Sequence, residues 1–298
     1  MSTFNRGLFW GFISYTLWGF FPVYWKLLAD RSSLEILAHR MVWSFVFYLA
    51  IFMATAYSDL PKLLQQNRRD WLYSAIAAAL LTLNWGLYIY AVNSGHILEG
   101  SLAYFINPIL NVAIGVVLFR EPFPLILRLS VGAAFLGVLY KMLYAPGFPW
   151  IALILAFSFC AYGVTKKVLK IPARTSSVLE GVVGVIPALI AVAYFQTHNE
   201  VPASAGTWLL FILGGVVTGL PLFLFSFAAQ RVSYSIMGML QFIAPSLQFL
   251  VAVLIFNETM SDQDLISFVL IWVGIGFYFG HQFMSLHQRR SDRSKTYQ

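Results

Sequence analysis

Two ionisable side chains lie inside long apolar stretches of the sequence, where charged residues are otherwise scarce. Arg40 lies in the stretch 35–57, and Glu180 lies in the stretch 178–196. Arg40 could bind the anionic group of a ligand, with Lys26 as a companion cation, or it could contact helix-end carbonyl groups or extend toward a polar boundary. Glu180 is a candidate for proton coupling, because a buried carboxyl group can exchange a proton near neutral pH; a structural role is the alternative.

Two other apolar stretches each contain a proline flanked by carboxamide side chains. The six residues are Asn107, Pro108, Asn111, Gln241, Pro245 and Gln248. Proline removes one backbone hydrogen bond from a helix, and an unpaired polar group in apolar surroundings is costly. The freed carbonyl groups and the amides could therefore line a polar site between helices. Alternatively, the prolines only bend the helices and the amides bond to neighbouring helices.

Aromatic rings accompany a few further polar groups along the chain. The residues that we select are Trp18, Pro22, Asn84, Trp85, Asn93 and Tyr162. An aromatic cavity with a few polar groups suits a small amphipathic solute. The alternative is that these rings face lipid or its boundary, as many must in a chain with 17% aromatic residues.

Sequence motifs for other chemistries are missing. The sequence contains no nucleotide-binding P-loop, no H-E-x-x-H zinc motif and no nucleophile–base arrangement. A single cysteine, Cys160, excludes an intramolecular disulfide. The net charge of +7 is spread over short loops rather than clustered on a nucleic-acid-binding face. We therefore expect no metal, no cofactor, no nucleic-acid partner and no enzymatic activity.

The elements that must position these residues are membrane-spanning helices. Of the 298 residues, 59% are hydrophobic and only 10% are charged, against roughly 25% charged in soluble domains. A span needs about 17–25 apolar residues. Ten such stretches follow one another: 7–28, 35–57, 71–92, 100–119, 125–144, 148–166, 178–196, 207–229, 235–256 and 265–284. We therefore predict an all-α polytopic membrane protein with ten transmembrane helices, in contact with a lipid bilayer.

Basic residues are distributed unequally between the two sides of these stretches. If the N-terminus is cytoplasmic, fifteen of the nineteen basic residues fall in inner segments, including 58–70, 120–128, 166–174 and 285–298. Lys26, Arg31 and Lys141 fall on the outer side, and Arg40 falls within a span. The positive-inside rule therefore predicts that both termini are cytoplasmic.

An internal repeat relates the two proline-containing stretches. A shift of 137 residues aligns 104–121 with 241–258 and gives seven identities in eighteen positions, including Pro108 with Pro245. A fainter similarity pairs "WGF" at 18–20 with "YGV" at 162–164. Because each copy holds five spans, the second copy is inverted. We predict five-helix repeats at 1–144 and 145–284 and a basic tail at 285–298; inverted repeats place a central site between the copies.

Several motifs resemble those of one family. They are "YTLWGFFPVYWK" (15–26), "EILAHRMVWS" (35–44), "NWGLYIYAVN" (84–93), "SLAYFINP" (101–108), "FSFCAYGVTKK" (157–167) and "QFIAPSLQFLVAV" (241–253). These are similar to the RarD family, a branch of the EamA group in the drug/metabolite transporter superfamily. The resemblance implies a ten-helix permease of the bacterial inner membrane. It also brings the label "chloramphenicol-sensitive protein", which is a weak guide to the natural substrate.

Together these features predict a secondary transporter, acting as an exporter, for a small organic metabolite or amphipathic drug-like compound. It would work by alternating access. Two other classes stay open: an intramembrane enzyme acting on lipid, and a membrane receptor or assembly protein that does not transport. The small-xxx-small pattern from Gly276 to Gly280 predicts close packing, either between the two repeats or across a homodimer.

Overall fold

The computed structural model describes residues 3–93, 97–143, 148–198, 203–257, 262–263, 265–278 and 280. Most residues in these ranges are helical, and no strand occurs in them. We number them α1 (Thr3–Gly19), α2 (Phe21–Trp25), α3 (Ser33–Ala56), α4 (Leu60–Leu64), α5 (Arg68–Asn93), α6 (Ile97–Val117), α7 (Leu125–Leu143), α8 (Trp150–Val168), α9 (Ala173–His198), α10 (Ala205–Ala229), α11 (Tyr234–Gln241), α12 (Ile243–Leu254) and α13 (Leu265–Tyr278). The all-α fold class is therefore confirmed.

Every one of the ten predicted apolar stretches overlaps one of these helices, but fewer meet a strict criterion for spanning. Among the described residues, six helical segments are long and apolar enough to cross a membrane: Ser33–Leu64, Leu125–Leu143, Trp150–Val168, Ala173–His198, Ala205–Ala229 and Tyr234–Leu254. The helix α1 has only 17 residues before the chain turns at Phe20, and α13 is also short. The ten-span arrangement therefore remains a prediction.

The largest contacts between helices combine one helix from the first half of the chain with one from the second. The most extensive contacts join α3 to α9 and α10, α1 to α10, α6 to α8 and α11, and α5 to α8. Glycines permit the closest approaches. A Cβ atom on Gly215 would lie 2.4 Å from the backbone of Trp43, and one on Gly238 would lie 2.7 Å from the Pro108 carbonyl oxygen. The two halves are thus interleaved rather than separate.

Segments predicted to share the inner side of the membrane meet at one end of the molecule. Arg174 lies 3.0 Å from the carboxylate of Asp59, and Gln230 donates a hydrogen bond to the Ile171 carbonyl oxygen at 3.0 Å. One of the basic residues assigned to the inner loops behaves differently. Lys166 is fully buried within α8, so its charge belongs to the packed interior and not to a loop.

Backbone details recur at the 137-residue shift. Arg120 and Asn257 both have a positive φ, of 53° and 52°. Each follows a helix end at which two amides bond to one carbonyl oxygen, that of Ile114 in the first copy and that of Val251 in the second. A left-handed residue after such paired bonds is typical of a helix C-cap. The helices α6 and α12 therefore end in the same way.

The close contact between α7 and α13 is reciprocal under the same shift. A Cβ atom on Gly137 would lie 2.7 Å from the carbonyl oxygen of Ser267, and one on Gly274 would lie 2.4 Å from that of Ser130. Both serines also bond to the carbonyl oxygen four residues earlier, at 2.8 Å. Among the described residues, close packing within the chain lies at Gly274, and nothing lies within 4 Å of a Cβ atom on Gly276 or Gly280. Packing across a homodimer stays a prediction.

The two prolines that suggested the repeat affect their helices differently. The helix α6 continues through Pro108. In the second copy, a turn at Phe242 separates α11 from α12, which contains Pro245. The helix assignment is therefore continuous at one proline and interrupted three residues before the other.

Candidate functional site

A cavity of about 410 Å³ lies between helices of the two halves. Nine of the fourteen residues that the sequence selected for a solute pathway line it: Trp18, Pro22, Arg40, Asn84, Trp85, Asn107, Gln241, Pro245 and Gln248. They come from seven helices, α1, α2, α3, α5, α6, α11 and α12. Among the described lining residues, eight are aromatic, four are carboxamides and one is basic.

Arg40 is held in this cavity by contacts to three other helices. Its Nε donates a hydrogen bond to Thr218 Oγ1 at 3.0 Å. Its Cζ lies 4.6 Å from the ring centroid of Trp25 and 4.5 Å from that of Trp85. A guanidinium group near an indole face is attracted by the ring quadrupole. The side chain is therefore positioned by tertiary contacts and does not extend along the lipid boundary.

The four carboxamides of the lining are bound to different degrees. Asn84 Nδ2 donates to the Leu155 carbonyl oxygen at 2.7 Å and to Ser158 Oγ at 3.0 Å. Gln248 Nε2 donates to the Trp18 carbonyl oxygen at 3.0 Å. Asn107 differs, because its buried Oδ1 has no hydrogen-bond partner among the described residues. It is therefore the amide of the described lining whose buried oxygen is left without a hydrogen-bond partner.

Five of the selected residues are not among the described lining of the cavity. Asn111 donates a hydrogen bond to Gln241 Oε1 within the contact between α6 and α11. Tyr162 is buried and stacks on Phe225 with ring centroids 5.8 Å apart. The carbonyl oxygen of Pro108 lies in close contact with Gly238. Asn93 ends α5, and its side chain lies outside the described residues.

Lys26, the fifth of these residues, does not accompany Arg40. Its Nζ lies 4.6 Å from the ring centroid of Phe256, beside the C-terminal end of α12. Lys26 is exposed and belongs to a short 3₁₀ turn after α2. The proposed pairing of Lys26 and Arg40 at one ligand is therefore unsupported by their positions.

Glu180 forms an ion pair that the sequence reasoning missed. Lys166 Nζ donates to Glu180 Oε1, and it donates to Ser176 Oγ at 2.7 Å. The lysine side chain is 0% exposed and the glutamate side chain 10% exposed. The pair joins α8 to α9 and lies outside the cavity lining. Lys166 stands at the polar end of its apolar stretch, so the sequence offered no signal that it would turn inward.

The structure adds residues to the site that were not selected from the sequence, among them four with polar or aromatic side chains. Trp25, Tyr88 and Tyr104 line the cavity, and Thr218 accepts the hydrogen bond from Arg40. Tyr104 was within reach of the sequence analysis, since the 137-residue shift pairs it with Gln241. Thr218 carried no signal, because a single threonine in an apolar stretch is ordinary.

A second polar cluster closes one end of the bundle. The carboxylate of Glu121 accepts the backbone N–H groups of Tyr234 and Ser235, at 2.6 and 2.8 Å. Lys167 Nζ lies 3.9 Å from Glu121 Oε1 and donates to the Val232 carbonyl oxygen at 2.7 Å. An anion at the start of α11 is favourable because the helix dipole and its free N–H groups both attract negative charge. The cluster ties α8, α11 and the segment after α6 together.

Comparison with known proteins gives consistent matches along the chain. A family model described as the EamA-like transporter family matches residues 5–142 and 148–280. Protein RarD of Streptomyces exfoliatus is 40% identical over 275 residues, which cover 91% of this chain and 87% of that protein. The uncharacterized transporter YojE of Bacillus subtilis strain 168 is 36% identical, with 91% and 92% covered. Protein RarD of Escherichia coli K12 is also 36% identical, with 92% and 94% covered.

One solved crystal structure is similar in fold. Its TM-score is 0.72 at 17% sequence identity, and the alignment covers 91% of this chain and 96% of the other. At that identity the likeness concerns the fold alone.

Proposed function

The chain belongs to the EamA-like transporter family, with relatives of the RarD type along most of its length, and from this premise we propose that it is a secondary-active permease for a small organic metabolite or amphipathic compound. The single observation that supports this most is the cavity, because nine residues selected for a solute pathway line it. Its volume of about 410 Å³ lies in the range of roughly 300–1,000 Å³ that is usual for small-molecule sites.

The proposed mechanism is alternating access by two inverted five-helix repeats, residues 1–144 and 145–284, followed by a basic tail at 285–298. The matching helix caps at Arg120 and Asn257 support the repeat, as does the reciprocal contact of Gly137 and Gly274. In such a pair each copy can adopt the conformation of the other, which opens the shared site to either side in turn.

The location and direction are proposals as well. Placement in a bacterial inner membrane with both termini cytoplasmic follows from the distribution of basic residues, and the meeting of Asp59 with Arg174 at one end of the bundle agrees with it. Export is proposed as the direction, with a chloramphenicol-related phenotype as one consequence. Homodimer formation through the exposed faces of the helices remains part of the hypothesis.

Proton coupling through Glu180 has to include Lys166. Since Lys166 Nζ donates to Glu180 Oε1, proton binding by the carboxylate would release the lysine and change the contact between α8 and α9. Flux in sealed vesicles with and without an imposed pH gradient tests this step. Flux that ignores the gradient would remove proton coupling from the proposal while leaving transport intact.

The decisive experiment is a solute screen in sealed proteoliposomes that contain the full chain. We expect Arg40→Ala and Asn107→Ala to reduce the flux of any transported solute at least about tenfold, because each removes a polar anchor from the cavity. Leu64→Ala, at an exposed position outside the cavity, is the matched control. No flux for any solute, or unchanged flux in both cavity variants, would contradict the proposal; product formation without a sealed compartment would favour an enzyme.

A further inference from the structure

The cavity holds a cation for which its described lining provides no counter-ion. Arg40 lines the cavity, and none of the described lining residues is an aspartate or a glutamate. Its one hydrogen bond goes from Nε to the neutral hydroxyl of Thr218. Within the part of the chain that the structure describes, the two terminal amino groups of the guanidinium therefore have no protein acceptor.

The rings around Arg40 determine which part of the guanidinium group a ligand can reach. Trp25 and Trp85 lie 4.6 and 4.5 Å from Cζ. They stabilise the cation but accept no hydrogen bond in the plane of the group. That planar edge matches the two oxygens of a carboxylate in a bidentate arrangement. A ligand that binds there is therefore expected to bring the negative charge that the cavity lacks.

A second part of the cavity contains two polar side chains whose oxygen atoms are unpaired among the described residues. Asn107 is 4% exposed and Tyr15 is 1% exposed, and both line the cavity. The Asn107 Oδ1 and the Tyr15 hydroxyl are buried without a hydrogen-bond partner among the described residues. Burying such groups unpaired is costly, so a ligand toward which one of these side chains turns gains affinity over one that cannot pair with it.

We propose that the substrate class of this cavity is an organic oxyanion with a flat apolar body, bound through the terminal amino groups of Arg40. The body packs against Trp25, Trp85 and the neighbouring rings. A polar group elsewhere on the molecule bonds to Asn107. This inference rests on the proposed function, since it names the class of the transported solute, but binding itself requires no transport.

The test is an equilibrium binding measurement on the full chain in lipid nanodiscs. Three probes share one ring system and differ in charge: indole-3-acetate, neutral indole-3-acetamide and cationic tryptamine. Titration calorimetry should show indole-3-acetate binding at least about tenfold more tightly than the amide, because a hydrogen-bonded charge pair replaces a neutral contact. Phenylacetate against phenyl phosphate then shows whether a planar or a tetrahedral oxyanion is preferred.

Variants assign the preference to Arg40. Arg40→Gln should bring the ratio of acid to amide affinity close to one, and Arg40→Lys should leave an intermediate ratio because the charge remains without the planar fork. Lys62→Gln removes an equal charge from an exposed side chain that is not among the described lining, and it should leave the ratio of acid to amide affinity unchanged. If Arg40→Gln fails to fold, the acid–amide comparison on the unaltered chain still decides.

Several outcomes would overturn the inference: equal affinity for acid and amide, preference for tryptamine, binding of none of the three, or an acid preference that persists in Arg40→Gln. Failure of the two proposals can be told apart. Selective binding of the acid without its flux in sealed proteoliposomes keeps the anion inference and removes transport. Flux confined to neutral or cationic solutes keeps the transport proposal and removes the anion inference.

Discussion

Arg40 and Lys166 represent two ways in which this protein keeps a cation away from bulk water. Arg40 relies on indole rings and one neutral hydroxyl group, so its charge stays available to a ligand. Lys166 is neutralised inside the chain by Glu180 and also bonds to Ser176. The first arrangement is suited to binding a solute, and the second to stabilising the fold, because a buried charge that is already paired within the chain cannot also pair with a solute.

The Lys166–Glu180 pair predicts a strongly non-additive response to mutation. Glu180→Gln should lower the free energy of unfolding by about 3–5 kcal/mol, because it leaves the buried ammonium group without its counter-ion. Combining Lys166→Met with Glu180→Leu should recover most of that loss, since an apolar pair needs no compensation. Denaturant unfolding of the purified protein measures both effects.

Lys170→Met is the control for this cycle, because Lys170 is an exposed lysine four residues further along the chain. It should leave the stability nearly unchanged. A double variant no more stable than Glu180→Gln would show that the pair does not act as a unit.

At the scale of elements, the start of α11 depends on an acceptor from outside the helix. The N–H groups of Tyr234 and Ser235 both bond to Glu121, and the side chain of Ser233 accepts from Ile236. Because the first turn of a helix has no internal acceptors, these contacts hold the helix end in place. The element that carries Gln241 to the cavity is therefore anchored by a residue that follows α6.

We predict that Glu121→Ala lowers the stability of the protein by about 1–2 kcal/mol, as loss of a helix cap does. Hydrogen exchange of the Tyr234 and Ser235 amides should accelerate more than that of the amides in α9. Glu121→Gln keeps one acceptor oxygen and should have a smaller effect. Equal protection of these amides in all three proteins would contradict the capping role.

The contact between α7 and α13 gives a second prediction at this scale. Gly137→Ala should destabilise the protein by about 1–3 kcal/mol, the usual cost of overpacking, because the new methyl group would lie 2.7 Å from the Ser267 carbonyl oxygen. Gly132→Ala is the matched control in the same helix, because no described residue lies within 4 Å of its Cβ position. Thermal unfolding of the two variants should therefore differ; equal melting temperatures would argue against the close packing.

At the scale of the whole molecule, the proposed topology can be tested with the chemistry of cysteine. Cys160 is the single cysteine of the sequence and is buried, so Cys160→Ser provides a background without thiols. Gln65→Cys and Lys170→Cys should react with a membrane-impermeant maleimide only after the membrane has been permeabilised, so that the reagent reaches the cytoplasmic side. Ala29→Cys and Ala205→Cys should react in intact spheroplasts. All four positions are exposed; reaction of all four from one side would contradict the inverted arrangement.

The sequence by itself determined the features that depend on composition, on local periodicity and on repetition. Apolar content required a membrane protein, and the helices fall where the apolar stretches predicted them. Arg40, Asn84 and Asn107, which were selected from the sequence, all line one cavity, and their part in a solute pathway stays a prediction. Each of these inferences depends on the free-energy cost of placing polar groups in apolar surroundings. That cost applies to a residue whichever tertiary neighbours it has.

Only the tertiary structure decided which polar side chains find a hydrogen-bond or ion-pair partner within the described protein and which do not. Thr218 lies 178 positions from Arg40 in the sequence, and Glu180 lies 14 positions from Lys166. Asn107 and Asn111 are alike in sequence, yet one faces the cavity and the other bonds to Gln241. Hydrogen bonds and ion pairs act over a few ångströms and depend on direction. They are therefore settled only when the helices have packed.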